Sequence, residues 1–477
     1  MGKSLINGIG RICETLRKVE YFGSTVTSWA FVVLYAVIAG FWLLLYAHFS
    51  YRGDNLFLWA QIFMFLLFLP ALSKFTLQLL VAPWHPFVAR RYRSADLARL
   101  RRSTVSVIVP AWNEEVGVLS TVRSLLLSKH RPIEIIVVND GSTDGTDFAM
   151  RDFLAGWNAV NSDSRISLRY ISMERNGGKA RAVNAGIRAA SGEFVVTIDA
   201  DSAVLPDTVS RIIEPFADPK TMSVAGNVRI GNRKQAIGVF QLMEYLYGFY
   251  FKQADALLES VYIVGGAAAA YRRSVFDEVG LFDEHNITED IEMSTRIQAA
   301  GFRVGYAPRS LVYTEGPSDF FGLCRQRLRW KYGRFLTFWK YRRLFFSFRR
   351  EHRRFLTLVT LPVALLSEVM LFFQWAFLAI SISFIVMSGQ WMPFVAYNLV
   401  FSFVVLLQIA TDVRKRDVFR LLPIVPFAWL IFLFIDVVEY QALLRSLSRI
   451  ARGRGVSWQK WKRVGVFGSD ASQEAAA

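Results

Sequence analysis

Five stretches of this chain are apolar almost without interruption, and the long segment between the second and third is patterned quite differently. Residues 29–49 and 56–81 each have the length of one membrane-crossing helix, with a short polar turn at 50–55 between them. The blocks 355–387, 391–410 and 419–444 come after the central segment. Within 103–338 the pattern is that of an α/β domain. Apolar runs at 106–110, 133–138, 168–172 and 194–198 have strand length, and three of them run into Pro110, Asn139-Asp140-Gly141 and Asp199-Ala200-Asp201. Helical spacing fills the gaps at 114–128, 144–155 and the alanine-rich 179–190. Strands alternating with helices predict a mainly parallel sheet, in which polar residues just past the strand ends share one edge. Four parts are therefore expected: an N-terminal transmembrane hairpin (1–102), the α/β domain (103–338), a basic interfacial segment with C-terminal transmembrane helices (339–464), and a disordered tail (465–477).

Composition sharpens this picture. Hydrophobic residues make up 53% of the 477, too many for an ordinary soluble enzyme, and the formal net charge is +17. In a soluble chain that charge would point to nucleic acid. Here Lys and Arg cluster beside the apolar blocks, at 90–102 and 339–354, so the lipid bilayer is the expected partner and nucleic acid is not. The positive-inside rule places the basic N-terminus and the 90–102 flank in the cytoplasm, and the α/β domain with them. Three later crossings would put the basic tail outside, against the same rule. Either 355–387 is more than one membrane segment, or 419–444, which holds Pro423 and Pro426, does not simply cross. Cys13 and Cys324 suggest neither a disulfide framework nor a zinc site. The first apolar run starts late and is long enough to span, so no cleavable signal peptide is expected.

Candidate chemistry lies at the strand ends and in 286–330. Asp199 and Asp201, at i and i+2 after a buried strand, suit a hard divalent cation that also holds phosphate oxygens; the plainer reading is a solvated acidic turn. Asp140 is placed to accept hydrogen bonds from a base or ribose, whereas Asp144 and Thr143 read as turn and helix-cap residues. Gly177-Gly178-Lys179 precedes a helix N-terminus, a place that favours anions, so Lys179 suits a diphosphate unless it is only a solvated loop lysine. A capping box from Asn286 to Glu289 would account for Glu289, and helix-start acidity in part for Glu292, which leaves Asp290 to act as a base. If 326–330 is helical, Gln326, Arg329 and Trp330 share one face. Guanidinium suits phosphate, and an indole plane suits a sugar ring. A basic amphipathic helix at a membrane surface would explain Arg325, Arg327, Lys331 and Arg334, but not that shared face.

Six motifs now stand in order: Val109-Pro110-Ala111-Trp112-Asn113-Glu114-Glu115, Val138-Asn139-Asp140-Gly141-Ser142, the Lys179 segment, Asp199-Ala200-Asp201, Thr288-Glu289-Asp290 and Gln326-x-x-Arg329-Trp330. Together they resemble the processive family 2 glycosyltransferases, which include cellulose, chitin, hyaluronan and poly-N-acetylglucosamine synthases. Residues 264–273, 287–292 and 325–330 look most like the bacterial poly-β-1,6-N-acetylglucosamine synthases of biofilm exopolysaccharide. The resemblance implies a GT-A domain (nucleotide-diphospho-sugar transferase, Rossmann-like) flanked by transmembrane α-helices, multi-pass in the inner membrane with its catalytic domain cytoplasmic. It implies that Asp140 holds the uridine end of a UDP-sugar, that Asp201 helped by Asp199 holds Mg²⁺ or Mn²⁺ on the diphosphate, and that Lys179 lies near the nucleotide. Asp290 would be the general base. Gln326 and Arg329 would hold the diphosphate, and Trp330 would lie under the acceptor sugar of a growing polysaccharide. A small accessory membrane subunit is compatible with this reading. One departure is Lys331-Tyr332-Gly333-Arg334, where the family carries an Ala-Gln-Gly-Gly type of sequence. A single-addition transferase acting on a lipid would share most of these motifs and differ in product length. A silent scaffold or nucleotide sensor would not need Asp201, Asp290 and Arg329 together.

Overall fold

A computed structural model describes residues 27–48, 55–89, 92, 94–456, 463, 465 and 466; Cys13, the basic residues of 1–20, Arg90, Arg91, Arg93, Lys460, Lys462 and the tail 467–477 lie outside them. The central domain is one eight-stranded sheet: β1 (Val105–Ala111), β2 (Ile133–Asn139), β3 (Ile166–Ser172), β4 (Phe194–Ile198), β5 (Ser202–Val204), β6 (Thr221–Ile230), β7 (Ala268–Arg272) and β8 (Arg303–Thr314). Their order is β3-β2-β1-β4-β7-β6-β8-β5. The first four are parallel, with Val107 opposite Ile135 on one side and Val196 on the other. β7 then runs antiparallel to both β4 and β6, and β6 lies parallel to β8 with two register shifts. The second half of the sheet is therefore mixed.

Both faces of the sheet are covered, which is why β2 and β4 are mostly apolar and buried at every position, Glu134, Asn139 and Thr197 being the polar exceptions. Val107, Val109 and Ile135 pack on one face with Leu125 and Phe216, while Ile108, Ile136 and Val138 pack on the other with Val183 and Met293. That is the two-residue period of a strand. β3 is the edge, and its polar, half-exposed pattern fits that place. Five helices form or brace the cavity at the strand ends: α1 (Lys179–Ala189), α2 (Ala236–Leu257), α3 (Glu289–Ala299), α4 (Phe320–Lys340) and α5 (Ala428–Ala451). The helix expected over 114–128 begins only at Val118, and Glu114 turns inward instead.

Five described helical segments are long and apolar enough to cross a membrane: Thr27–His48, Ile62–Val88, Leu356–Ser388, Met392–Thr411 and Lys415–Ala451. This is a membrane protein. The domain is tied to these segments by specific contacts. Gln78 donates to Asp255 of α2 at 2.7 Å, and Phe75 packs on Phe251 with centroids 5.3 Å apart. The last segment is not one straight helix. Pro423 and Pro426 hold Phe419–Phe427 in a 3₁₀ helix, and α5 starts afresh at Ala428. The 3₁₀ leg climbs beside Met392–Thr411, with Ser402 donating to the Val425 carbonyl, until Trp429 meets Phe394 near the far end of that helix. Both ends of the segment reach the sheet domain. Asp412 and Asp417 pair with the buried Arg229 of β6 at 2.6 and 3.7 Å. Beyond α5, Arg463 pairs with Asp201 at 2.7 Å.

Candidate active site

At the carboxyl ends of β1, β2 and β4 the domain opens into a cavity of about 1000 Å³, and all eight residues singled out in the sequence line it. They come from separate parts of the chain: two strand ends, one glycine loop and the starts or faces of two helices.

Asp140 closes β2. Its two carboxylate oxygens accept the Gly177 and Gly178 N–H groups, each at 2.8 Å. Gly178 sits at φ +92°, a conformation open to glycine and strained for other residues. Burial raises the Asp140 carboxyl, and the two N–H donors with Arg181 hold it back. Asp140 therefore fixes the loop that aims the N-terminus of α1 into the cavity. Lys179, the first residue of α1, contacts Asp199 directly and lies 3.6 Å from Glu289. Burial alone would lower its ammonium, but Asp199, Glu289 and Asp290 outweigh that and raise it. Asp201 accepts from Thr314 at 3.2 Å.

Asp290 stands in the first turn of α3. Its Oδ2 accepts from the Gly266 N–H and its Oδ1 from the Ile291 N–H, both at 2.8 Å. The expected capping box is not formed. Thr288 is the N-cap without a side-chain capping bond, and Asn286 Oδ1 accepts from the Thr288 N–H at 3.0 Å and from its hydroxyl at 3.3 Å. Glu289 is thereby released from cap duty. It is buried beside Lys179, and burial raises its carboxyl against the pull of that ammonium. Glu292 does stay structural, bound to Arg296, Lys340 and Tyr341.

The helix α4 crosses this end of the cavity. A Cβ on Gly333 would fall 2.1 Å from Thr288 Oγ1, so glycine is what lets α4 pass so near the start of α3. Gln326, Arg329 and Trp330 do share the cavity side. Burial lowers the Arg329 guanidinium, opposed by Glu289, Asp290 and Asp199. Arg327 stacks over Trp330 at 4.3 Å, and the half-buried indole lines the cavity. The membrane-surface reading fails for Arg327 and Lys331, which are buried in ion pairs with Glu244, Glu368 and Glu439. Arg334 joins them through Glu368 at 2.9 Å. Burial of these cations is affordable only because carboxylates on other helices meet them.

Sequence reasoning passed over three residues here: Glu114, Glu289 and Arg463. Glu289 was legible as part of its motif, but cap chemistry explained it. Nothing local marks Arg463, whose partners Glu114 and Asp201 lie hundreds of residues away. Among the described residues no group of three His, Cys, Asp or Glu side chains is arranged to hold a metal. Asp199 and Asp201 are nevertheless hard oxygen donors, and each is matched here by a protein cation, Lys179 and Arg463 respectively. That donor set fits a divalent ion whose other ligands come from a diphosphate.

A parallel sheet that turns mixed after β4, with paired carboxylates on its carboxyl edge and a glycine loop feeding a helix N-terminus, is the GT-A fold. The same fold is seen in the mannosyltransferase PcManGT from Pyrobaculum calidifontis, solved with GDP-Man and Mn²⁺: TM-score 0.50 and 19% identity, covering 82% of this chain and 99% of that one. The glycosyl transferase family 2 model matches residues 106–280, and that of glycosyl transferase family group 2 matches 194–440, half of the chain. The chain belongs to glycosyltransferase family 2. It is similar to the poly-β-1,6-N-acetyl-D-glucosamine synthase of Staphylococcus epidermidis, 34% identical over 232 residues, which is 48% of this chain and 54% of that protein. The synthase of Staphylococcus aureus strain COL is 31% identical over 281 residues, 57% of this chain and 65% of that protein. The chain thus spans between about half and two thirds of the curated relatives it matches.

Proposed function

We propose that this protein transfers a sugar, N-acetylglucosamine as the best match, from a UDP-sugar to a growing β-linked exopolysaccharide, with inversion, and passes the product across the membrane. The observation that carries the reading is the convergence of Asp140, Asp201, Asp290 and Arg329 on one cavity that reaches down to a membrane helix at Lys74 and Gln78.

In this reading Asp140 and the loop it fixes receive the uridine end, and Lys179 and Arg329 face the diphosphate. Each Asp290 oxygen accepts one backbone N–H and keeps a lone pair, so the carboxylate is oriented without being used up. Asp290 takes the proton of the acceptor hydroxyl as that oxygen bonds to the anomeric carbon. The bond from that carbon to the diphosphate oxygen breaks with its electron pair, and UDP departs toward Arg329. Asp201, with Asp199 beside it, would hold a Mg²⁺ or Mn²⁺ ion, which when bound supplies further charge for the leaving diphosphate. Trp330, held by the stacked Arg327, carries the acceptor ring.

The catalytic domain is assigned to the cytoplasmic side of the inner membrane, with 1–102 and 339–464 forming the membrane parts around 103–338. Basic helix ends such as Arg99, Arg101 and Arg102 support this, as does the return of 415–451 to the domain. The deciding experiment incubates membranes with individual UDP-sugars and analyses the product's length and linkage. A long β-linked polymer from UDP-N-acetylglucosamine is expected. One sugar added to a lipid, or no UDP release from any donor, would overturn the reading.

A further inference from the structure

Beyond α5 the chain comes back to the sheet and touches it at three described residues. Arg463 Nη2 lies 2.7 Å from Asp201 Oδ2 and 2.7 Å from Glu114 Oε1, and all three side chains are largely buried. Gly465 donates its N–H to Glu315 Oε2 at 3.0 Å, and the Glu315 N–H in turn bonds the Asp201 carbonyl at 3.3 Å. Val466 is buried against Ala203, Leu311 and Tyr313 on the β5–β8 edge. A Cβ on Gly231 would sit 2.3 Å from its Cγ1, so the seat is close-fitting. Gly465 and Val466 belong to the stretch expected to be disordered; here an apolar seat and a carboxylate hold them.

These contacts put a guanidinium on the carboxylate assigned to a divalent cation. Asp201 Oδ2 is the oxygen that Arg463 takes, and a second cation directed at that oxygen would meet like charge at contact distance. We propose that Arg463 is an internal counter-ion that competes with the divalent cation for Asp201, so that metal binding requires the guanidinium to leave this carboxylate. The consequence is a built-in brake on metal affinity, set by the seat of Val466 and Gly465. The proposal rests on the assignment of Asp201 to metal.

The test measures Mn²⁺ binding, by electron paramagnetic resonance of the free ion, on the full chain in detergent with UDP present to supply the diphosphate ligands. Arg463→Gln is expected to bind Mn²⁺ about tenfold tighter than wild type, the scale of one hydrogen bond to a charged group. Val466→Ser, which loosens the seat without touching the site, should shift affinity in the same direction by less. Asp201→Asn should lose binding. If Asp201→Asn loses Mn²⁺ while both Arg463→Gln and Val466→Ser bind as wild type or more weakly, competition is overturned and the metal assignment stands. If Asp201→Asn binds Mn²⁺ as wild type does, the metal assignment itself falls, and the competition with it. Should Arg463→Gln fail to fold, Val466→Ser decides the matter by the same criterion.

Discussion

Two clusters of paired charges lie near α4, and they differ in what they hold together. In the first, Lys179 meets Asp199 and Glu289, and Arg463 meets Asp201 and Glu114, across an open cleft. In the second cluster, Arg327 pairs with Glu244 at 2.6 Å and Glu439 at 3.4 Å, and Lys331 with Glu368 at 2.6 Å and Glu439 at 3.0 Å. Those carboxylates belong to α2, to the membrane helix Leu361–Ser388 and to α5. The second cluster therefore rivets α4 to three other helices. Each of its cations is charge-compensated by the protein, and removing one partner leaves a buried charge. In the proposed reading, the first cluster gives up a protein partner to a diphosphate or a cation. Glu244, Arg327 and Arg334 line the same cavity, so access alone does not set the two clusters apart; the second is distinguished by tying α4 to three other helices.

The comparison can be broken most sharply at Asp290. Asp290→Asn keeps the Gly266 contact surface but removes the proton acceptor, so transfer should fall by about 10²–10⁴-fold. UDP binding and the melting temperature should stay near wild type; a polymerising Asn variant at wild-type rate would remove Asp290 from the chemistry. Glu368→Ala is the mirror experiment on the second cluster. It strips Arg334 of its carboxylate and leaves Lys331 with Glu439 alone, and a loss of about 3–5 kcal/mol is expected in the thermal or denaturant stability of the detergent-solubilised protein. If it leaves stability intact and instead slows transfer per folded molecule, the two clusters are not distinct in kind.

Arg329→Lys keeps the charge and loses the planar fork. The chemical step should slow by about 10²–10³-fold in single-turnover measurements, with the fold unchanged. The smallest effect is expected at Trp330. Trp330→Ala removes the platform, and a stacked ring is worth on the order of 1–3 kcal/mol for nucleobases, with a sugar giving no more. Donor hydrolysis to UDP and free sugar should then continue while chain growth drops. An unchanged ratio of hydrolysis to polymer per folded protein would show that Trp330 carries no acceptor.

What the sequence determined by itself is what short-range physics encodes. The apolar runs and turn residues define β1 to β4 as a parallel set, and they put Asp140 and Asp199 at its carboxyl edge. The spacing of Gln326, Arg329 and Trp330 puts one amide, one guanidinium and one indole on a single face. Other features needed the tertiary structure. β7 is Ala-Ala-Ala-Tyr-Arg, its alanines having little intrinsic strand preference, and it becomes a central antiparallel strand because its backbone pairs with β4 on one side and β6 on the other. Glu289 reads locally as a helix-start acid, and only the approach of Lys179 draws it into the cavity. Lys331 and Arg334 read as surface charges until Glu368, on another helix, buries them. Arg463 and Glu114 are separated by 349 positions. Local pattern carries no information about such a pair, because its energy depends on where two distant segments come to rest and on the low-dielectric space between them.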